Sequence, residues 1–485
     1  MKFNKKNKNT EKNKAGGIKY KLSNKEKIIQ ICLTMFYNEP KYYDSVDTQL
    51  NDAIEKVAKE DPEFILKLAA YNRNEMYLRT ISIYLLVKAA NIMECKPFVR
   101  KYAPKIIRRA DEITEAIACQ LQLFGKPIPA SLKKGVVDSF KNSDEYQFSK
   151  YNRKGKVTFK DAIMLTHPKE PSDIIKKILD DKLEIPKTWE TEISINGSTK
   201  ENWENVIDNV FWKDGKVNNY MAILRNINNI DKVGVSDEHF NKVLEAIENK
   251  QAVKNSKQFP FRFYSVLANT RITDPFKTKL LAKSLEKALN YSVENLPKLK
   301  GNTLASADTS GSMISPVSKN SRITCLDIAC LMTAMTNKFS ENGVASVFGT
   351  NFETVTLSNN ILEDSMKIRK TDVGWSTNGY KVIEYAINNN IKVDRFILYT
   401  DEELYSTSPF GDGNLQKYFD AYLREINPNA MLYVVNLNGY GDSCVNTKSK
   451  NVITFSGWSE KILSYIATYE EGFENQIEKI ESYSI

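Results

Sequence analysis

Near residue 298 the spacing of the apolar residues changes, and that change constrains the fold more than any other feature of the chain. From residue 24 to about 293 the apolar positions recur at helical spacing. The runs are short, among them "KEKIIQICLTMFY", "PEFILKLAAYNR", "LRTISIYLLVKAA", "ADEITEAIACQLQLF", "ASLKKGVVDSF" and "FKTKLLAKSLEKALNYS". Pro, Asn, Asp and Gly break them, and no convincing strand intervenes. No motif repeats, but so many helices in pairs read as an irregular helical solenoid. The stretch "DKLEIPKTWETEISINGSTKENW" is the least helical part of this half and reads as an insertion. After 298, "TLASAD", "GVASVFGT", "ETVTLS", "RFILYTD", "AMLYVVNLN" and "NVITFS" are short β-rich runs. Helical segments such as "TCLDIACLMTAMTNKFSE" and "LQKYFDAYLREI" separate them. That alternation predicts an open, mostly parallel sheet with helices on both faces. The fold class is therefore α followed by α/β: a basic arm over 1–21, a helical repeat domain over 22–296 and an α/β domain over 297–485.

Charge divides the chain in the same way. Residues 1–300 hold 54 Lys and Arg against 38 Asp and Glu, a balance of +16, whereas 301–485 hold 15 against 22, a balance of −7. Excess Lys and Arg in the first part suits a polyanion, because phosphate neutralisation is what such side chains achieve. A solvated surface in a lysine- and asparagine-rich sequence is the plainer reading of the same numbers. The six cysteines have no C-x-x-C spacing, so neither a zinc site nor a disulfide framework is indicated. Two histidines leave little room for a histidine-based metal site or triad. No apolar run is long enough for a membrane span and the N-terminus has no signal-peptide core. The expectation is a cytoplasmic protein with reduced thiols.

Within "SADTSGSMIS" (306–315), Asp308, Ser310 and Ser312 follow a β-rich run. A helix N-cap needs one such oxygen. A hard cation needs several, drawn from more than one part of the chain. "RFILYTDEE" places Asp401 at the end of another strand, and "DVGWSTNGY" places Thr377 just before a helix. Asp308-x-Ser310-x-Ser312 with a later Thr and a later Asp resembles the metal-ion-dependent adhesion site of von Willebrand factor A domains. The ligand set is all oxygen, which favours one Mg²⁺ or Mn²⁺ over zinc or copper. The resemblance implies that Ser310, Ser312 and Thr377 contact the ion directly or through water, with Asp308 and Asp401 on the ion or one water removed. It also implies one coordination position left for a partner's carboxylate.

A second resemblance concerns the helical half. "KYNRKGKVTFKDAIMLTHPKEP" (150–171), "YMAILRNINNI" (220–230) and "PFRFYSVLANT" (260–270) are similar to segments of the TROVE module of Ro ribonucleoproteins. The order of TROVE helices before an A domain matches as well, and the resemblance covers roughly 25–470. It implies a ring of HEAT-like helical repeats joined by the A domain. It implies small structured Y-type RNAs on a basic outer surface, and single-stranded 3′ ends of misfolded RNAs in the ring cavity. RNA quality control follows from it, with an exoribonuclease reached through the RNA, a monomeric protein and no membrane partner. The carried-over RNA-binding positions are Lys150, Lys154 and His167, with Arg153 beside them and Lys133 and Lys134 on a helix that is also basic in the family. Taken alone, His167 reads as a helix C-cap before Pro168 or as a buried histidine. "THPKEP" departs from the family by lacking a Leu after the His.

Other features take plainer readings. Arg73 and Arg79 could line a ring cavity or cap helix carbonyls. Cys325 and Cys330, five apart on one helix, read as packing residues. No nucleophile–base pair, paired catalytic carboxylates or nucleotide fingerprint occurs, so an enzyme is not expected. The alternative function is a helical scaffold whose A domain captures a protein partner's carboxylate through Mg²⁺.

Overall fold

The computed structural model describes residues 10–12, 18–20, 23–34, 47–152, 155–186, 188–294, 296, 298–317, 322–401, 414–437, 445, 449–456, 461–471 and 473–483. They belong to two compact units. One holds Leu22–Cys32, Glu39–Ser198 and Glu471–Ile485; the other holds Met1–Lys21, Leu33–Asn38 and Thr199–Glu470. Among the described residues, the regular elements of the first unit are all helices. Its elements start where the sequence supplies caps: Asp61 accepts from Phe64 N before the Pro62–Asn74 helix, and Thr158 accepts from Asp161 N before Phe159–Thr166. The Lys96–Ile106 and Ala130–Ser139 helices pack closely because Gly135 has no side chain. A Cβ there would stand 2.5 Å from that of Ala103. The C-terminal helix Phe473–Glu481 returns to this unit and packs on Pro62–Asn74. There Lys25 bridges Asp61 and Glu481 at 2.6 Å each, and the rings of Tyr71 and Tyr483 meet edge to face at 5.6 Å.

Among the described residues ten strands form three sheets: β1 (Thr10–Lys12) with β2 (Ile18–Tyr20), β3 (Trp212–Lys213) with β4 (Lys216–Val217), and a six-stranded sheet in the second unit. The large sheet uses β5 (Leu299–Asp308), β6 (Ser340–Phe348), β7 (Phe352–Val355), β8 (Arg395–Thr400), β9 (Met431–Asn436) and β10 (Val452–Ser456). Its order is β10-β9-β8-β5-β6-β7, parallel except for the β6–β7 pair. All six predicted strands are present. β8 is buried along its whole length, as expected of a strand covered on both faces. Phe396 and Leu398 point into a core with Val382, Ile383, Phe419, Tyr422, Leu432 and Val434. Tyr399 points the other way, where its hydroxyl lies 2.6 Å from Thr336 Oγ1 on the Cys325–Phe339 helix. The helical half followed by a parallel α/β layer is the predicted fold class.

The structure departs from the sequence reading in several places. Packing groups residues 199–298 with the sheet, whatever the change in apolar period near 298. The Tyr220–Lys232 to Pro275–Val293 helices share a unit with the sheet. Tyr264 donates to Asp327 at 2.7 Å, and Leu362 N donates to Glu286 at 2.8 Å. Period reports local conformation, not which neighbour a helix buries its face against. The stretch read as least helical contains two helices, Trp189–Asn196 and Lys200–Val206, started by the Thr188 and Thr199 caps. The first buries no residue, so no apolar stripe announces it. The β3–β4 hairpin, its turn formed by Asp214 and Gly215 at φ 52° and 70°, interrupts what was read as purely helical. The Ile361–Lys370 helix was not anticipated either. Among the described residues no helix is long and apolar enough to cross a membrane.

Candidate metal centre and nucleic-acid interface

The strand order reverses between β5 and β8: β5 leads on to β6 on one side and β8 to β9 on the other. A crevice opens at the carboxyl ends of such a pair of strands. Asp308 ends β5, and Asp401 directly follows β8. Asp308 is fully buried; its Oδ1 accepts from Ser310 N at 2.8 Å and its Oδ2 from Thr400 Oγ1 at 2.6 Å. Burial pushes its carboxyl up to about 7, against hydrogen bonds from Ser310 and Thr400 that pull it down, while the nearby charge of Asp401 adds to the rise. Ser310 and Ser312 stand with their hydroxyl oxygens 3.3 Å apart.

Thr377 reaches the same place by backbone zipping. Gly311 N donates to Trp375 O at 3.2 Å, and Asn378 N donates to Gly349 O at 3.1 Å. Gly374 turns the chain at φ +81°, a conformation that favours glycine, and a side chain there would strike Thr350. Thr377 is thereby buried, and its Oγ1 has no hydrogen-bond partner.

An orphaned buried hydroxyl costs free energy unless something completes it. A divalent cation would do so for the whole group: Asp308, Ser310, Ser312, Thr377 and Asp401 supply oxygen only. Among the described residues no cluster of three or more His, Cys, Asp or Glu is placed to hold a metal, so such a site depends on its hydroxyls. The donor set therefore fits a hard ion such as Mg²⁺ or Mn²⁺. Thr400 was missed by the sequence reading. The signal lay in "LYTD", where Tyr399 faces the helix side and Thr400 turns back towards β5.

The basic positions lie in the helical unit. Lys133 is half-buried and Lys134 exposed on the Ala130–Ser139 helix. That helix packs on Phe159–Thr166, whose C-cap is His167. His167 adopts a left-handed conformation at φ 50°, its N–H donates to Ile163 O at 3.0 Å, and its side chain is exposed. It is the C-cap of the plainer reading, and not a buried histidine; Pro168 stops the helix behind it.

Lys150 lies in the last turn of the Glu145–Tyr151 helix, with its Nζ 5.8 Å from the ring centroids of both Tyr146 and Tyr151. Arg153 and Lys154 lie outside the described residues. Lys133, Lys134, Lys150 and His167 thus sit on helices of one unit. Arg73 and Arg79 are held by carboxylates: Arg73 pairs with Glu112 at 2.8 Å, and Arg79 pairs with Asp111 at 3.0 Å and Glu115 at 2.8 Å. Cys325 and Cys330 are buried, and burial pushes both thiols up.

Comparison with known proteins agrees with this anatomy. The TROVE domain model matches residues 19–181 and 176–313, and the Ro60 vWA domain model matches 303–470. "Telomerase protein component 1" of Rattus norvegicus is 26% identical over 308 residues, covering 45% of this chain and 12% of that protein. Its Mus musculus counterpart is 26% identical over 295 residues, covering 43% and 11%. The chain thus spans only a small part of the length of the curated relatives it matches. The crystal structure of the Deinococcus radiodurans Ro (RSR) protein superposes with a TM-score of 0.69 at 15% identity, covering 93% of this chain and all of that one. It shares the fold. With TROVE matches running over more than half of its length and a Ro60-type A domain following them, the chain belongs to the Ro60-like family of TROVE proteins.

Proposed function

We propose that this chain is a non-catalytic RNA-binding protein of ribonucleoprotein type, acting in the cytoplasm in RNA quality control. Structured small RNAs of the Y-like class bind a basic surface made by Lys133, Lys134, Lys150, Arg153, Lys154 and His167. Single-stranded 3′ ends of misfolded RNAs enter a ring cavity, and an exoribonuclease is recruited through the RNA. What supports this reading is that Lys133, Lys134, Lys150 and His167 lie on helices of one unit or at their ends, in the part of the chain with a +16 balance. Lysine brings a mobile charge to phosphate, and an exposed imidazole can stack on a base or donate to a phosphate.

Asp308, Ser310, Ser312, Thr377 and Asp401 would hold one Mg²⁺ or Mn²⁺, which would supply a fixed positive centre able to accept an acidic group. The chain's own part there is to hold the five oxygens: β5 and β8 fix the carboxylates, and the zipped loop fixes Thr377. The second reading, a scaffold that captures a partner's carboxylate at this centre, draws its support from the orphaned Thr377 hydroxyl.

Three RNAs separate the two. A hairpin with a single-stranded 3′ tail, the same hairpin blunt-ended and a circular form are compared at one salt concentration. The tailed form should bind the most tightly, since each engaged base contributes on the order of 1–3 kcal/mol. Three equal affinities would remove the end-gripping function, and no binding to any of them would leave the scaffold.

A further inference from the structure

Lys150 of that proposed surface belongs to a cluster whose rings the reading leaves unused: the alternation of cations and rings around the Glu145–Tyr151 helix. Tyr146 and Lys150 are four residues apart and share a helix face. Arg109 lies over the Tyr151 ring at 4.9 Å, and its guanidinium donates to the Tyr151 hydroxyl at 2.7 Å. Arg109 is also held by Asp111 at 3.0 Å, so its charge is largely spoken for and its effect is to fix Tyr151. Tyr151 in turn flanks Lys150, whose ammonium stands between two rings at 5.8 Å each. A lysine placed so has lost part of its usual freedom before any ligand arrives. Tyr146, the outer member, is 41% exposed. Burial and the nearby Glu190 carboxylate both push its phenol up, so the ring stays neutral. A phosphate is disfavoured directly over Tyr146 by that carboxylate; a neutral aromatic base is not.

We propose that Tyr146 and Lys150 form a subsite for one unpaired nucleotide of RNA. The base stacks on Tyr146 and the adjoining phosphate pairs with Lys150, while Arg109 and Tyr151 act as positioning residues. Aromatic rings accept any base on this pattern, so the subsite selects an unpaired nucleotide rather than a sequence. Unlike charge alone, it distinguishes a duplex surface from a flap or bulge beside one. The inference rests on the reading of this chain as RNA-binding and deepens it.

The test compares a hairpin carrying one unpaired purine with the same hairpin carrying an abasic nucleotide there, by fluorescence anisotropy on the full chain. For the unaltered protein, loss of the base should weaken binding about fivefold to a hundredfold, the range of one stacked base. Tyr146→Ala should bind both hairpins equally, at the weaker value, and Tyr146→Phe should restore the difference. Lys150→Ala should weaken both and make the log–log salt slope shallower by about 1. A chain that binds both hairpins alike, or a Tyr146→Ala variant that still discriminates, overturns the subsite while leaving RNA binding intact. A chain that binds neither hairpin overturns both.

Discussion

The C-terminal helix should be a structural member of the N-terminal helical unit, and Ile480→Ala measures by how much. Ile480 is fully buried on the Phe473–Glu481 helix, which packs on Pro62–Asn74. Truncation to Ala removes three carbons, worth about 2.4 kcal/mol at roughly 0.8 kcal/mol per buried methylene. The unfilled space adds a cavity term, and buried isoleucine truncations cost about 2–5 kcal/mol in all. The polar contacts of the same helix count for less. Lys25–Glu481 is half exposed and contributes about 0–1 kcal/mol. Glu481→Gln should therefore be the mild variant and Ile480→Ala the severe one. A chain of two compact units need not unfold in one step, so a melting curve alone would not locate the loss. Native-state hydrogen exchange does. Amides of the Pro62–Asn74 helix should lose about one and a half to three and a half decades of protection in Ile480→Ala, one decade per 1.4 kcal/mol. Those of β5 and β8 should change far less. Unchanged exchange over 62–74, or a loss confined to the sheet, would refute the assignment of this helix to the N-terminal unit.

Asp308→Ala should abolish Mn²⁺ binding by calorimetry while RNA binding persists, since the two sites lie in different units; undiminished Mn²⁺ binding would end the metal assignment. Thr377→Val, which keeps the shape but removes the orphaned hydroxyl, should weaken Mn²⁺ while slightly raising thermal stability of the metal-free protein, because an unpaired buried oxygen costs about 1–3 kcal/mol. Replacing Lys150 and His167 with Ala should weaken a structured RNA more than a single strand, read by competition binding. At acid pH, Glu63 gives a signed test. The Tyr102 hydroxyl, donating to it at 2.8 Å, holds its carboxyl below the usual range, helped by Lys101. A lowered folded value contributes stability that is full above the ordinary glutamate range and fades as pH falls through it. Tyr102→Phe should lower stability by about 0.5–1.5 kcal/mol near neutral pH and by less in acid, measured by urea unfolding across pH.

What the sequence determined by itself was local. Periods of 3.6 and 2 placed most of the helices and all six strands of the large sheet, because each residue's face is set by its own neighbours along the chain. Asp308, Ser310, Ser312, Thr377 and Asp401 were singled out by their resemblance to a metal-ion-dependent adhesion site, with the two carboxylates at strand ends. Tertiary structure decided the partners. It took the Tyr220–Lys232 to Pro275–Val293 helices into the unit of the sheet and sent Phe473–Glu481 back to the first helices, although nothing in their periodicity says so. It turned Arg73 and Arg79 towards the carboxylates of the Ala110–Leu123 helix, a choice that depends on residues over thirty positions away. It brought Thr400 onto Asp308 across 92 residues and set Lys150 between two rings backed by Arg109. Burial is a property of surfaces that meet, and an apolar stripe specifies that it must be covered without specifying by what.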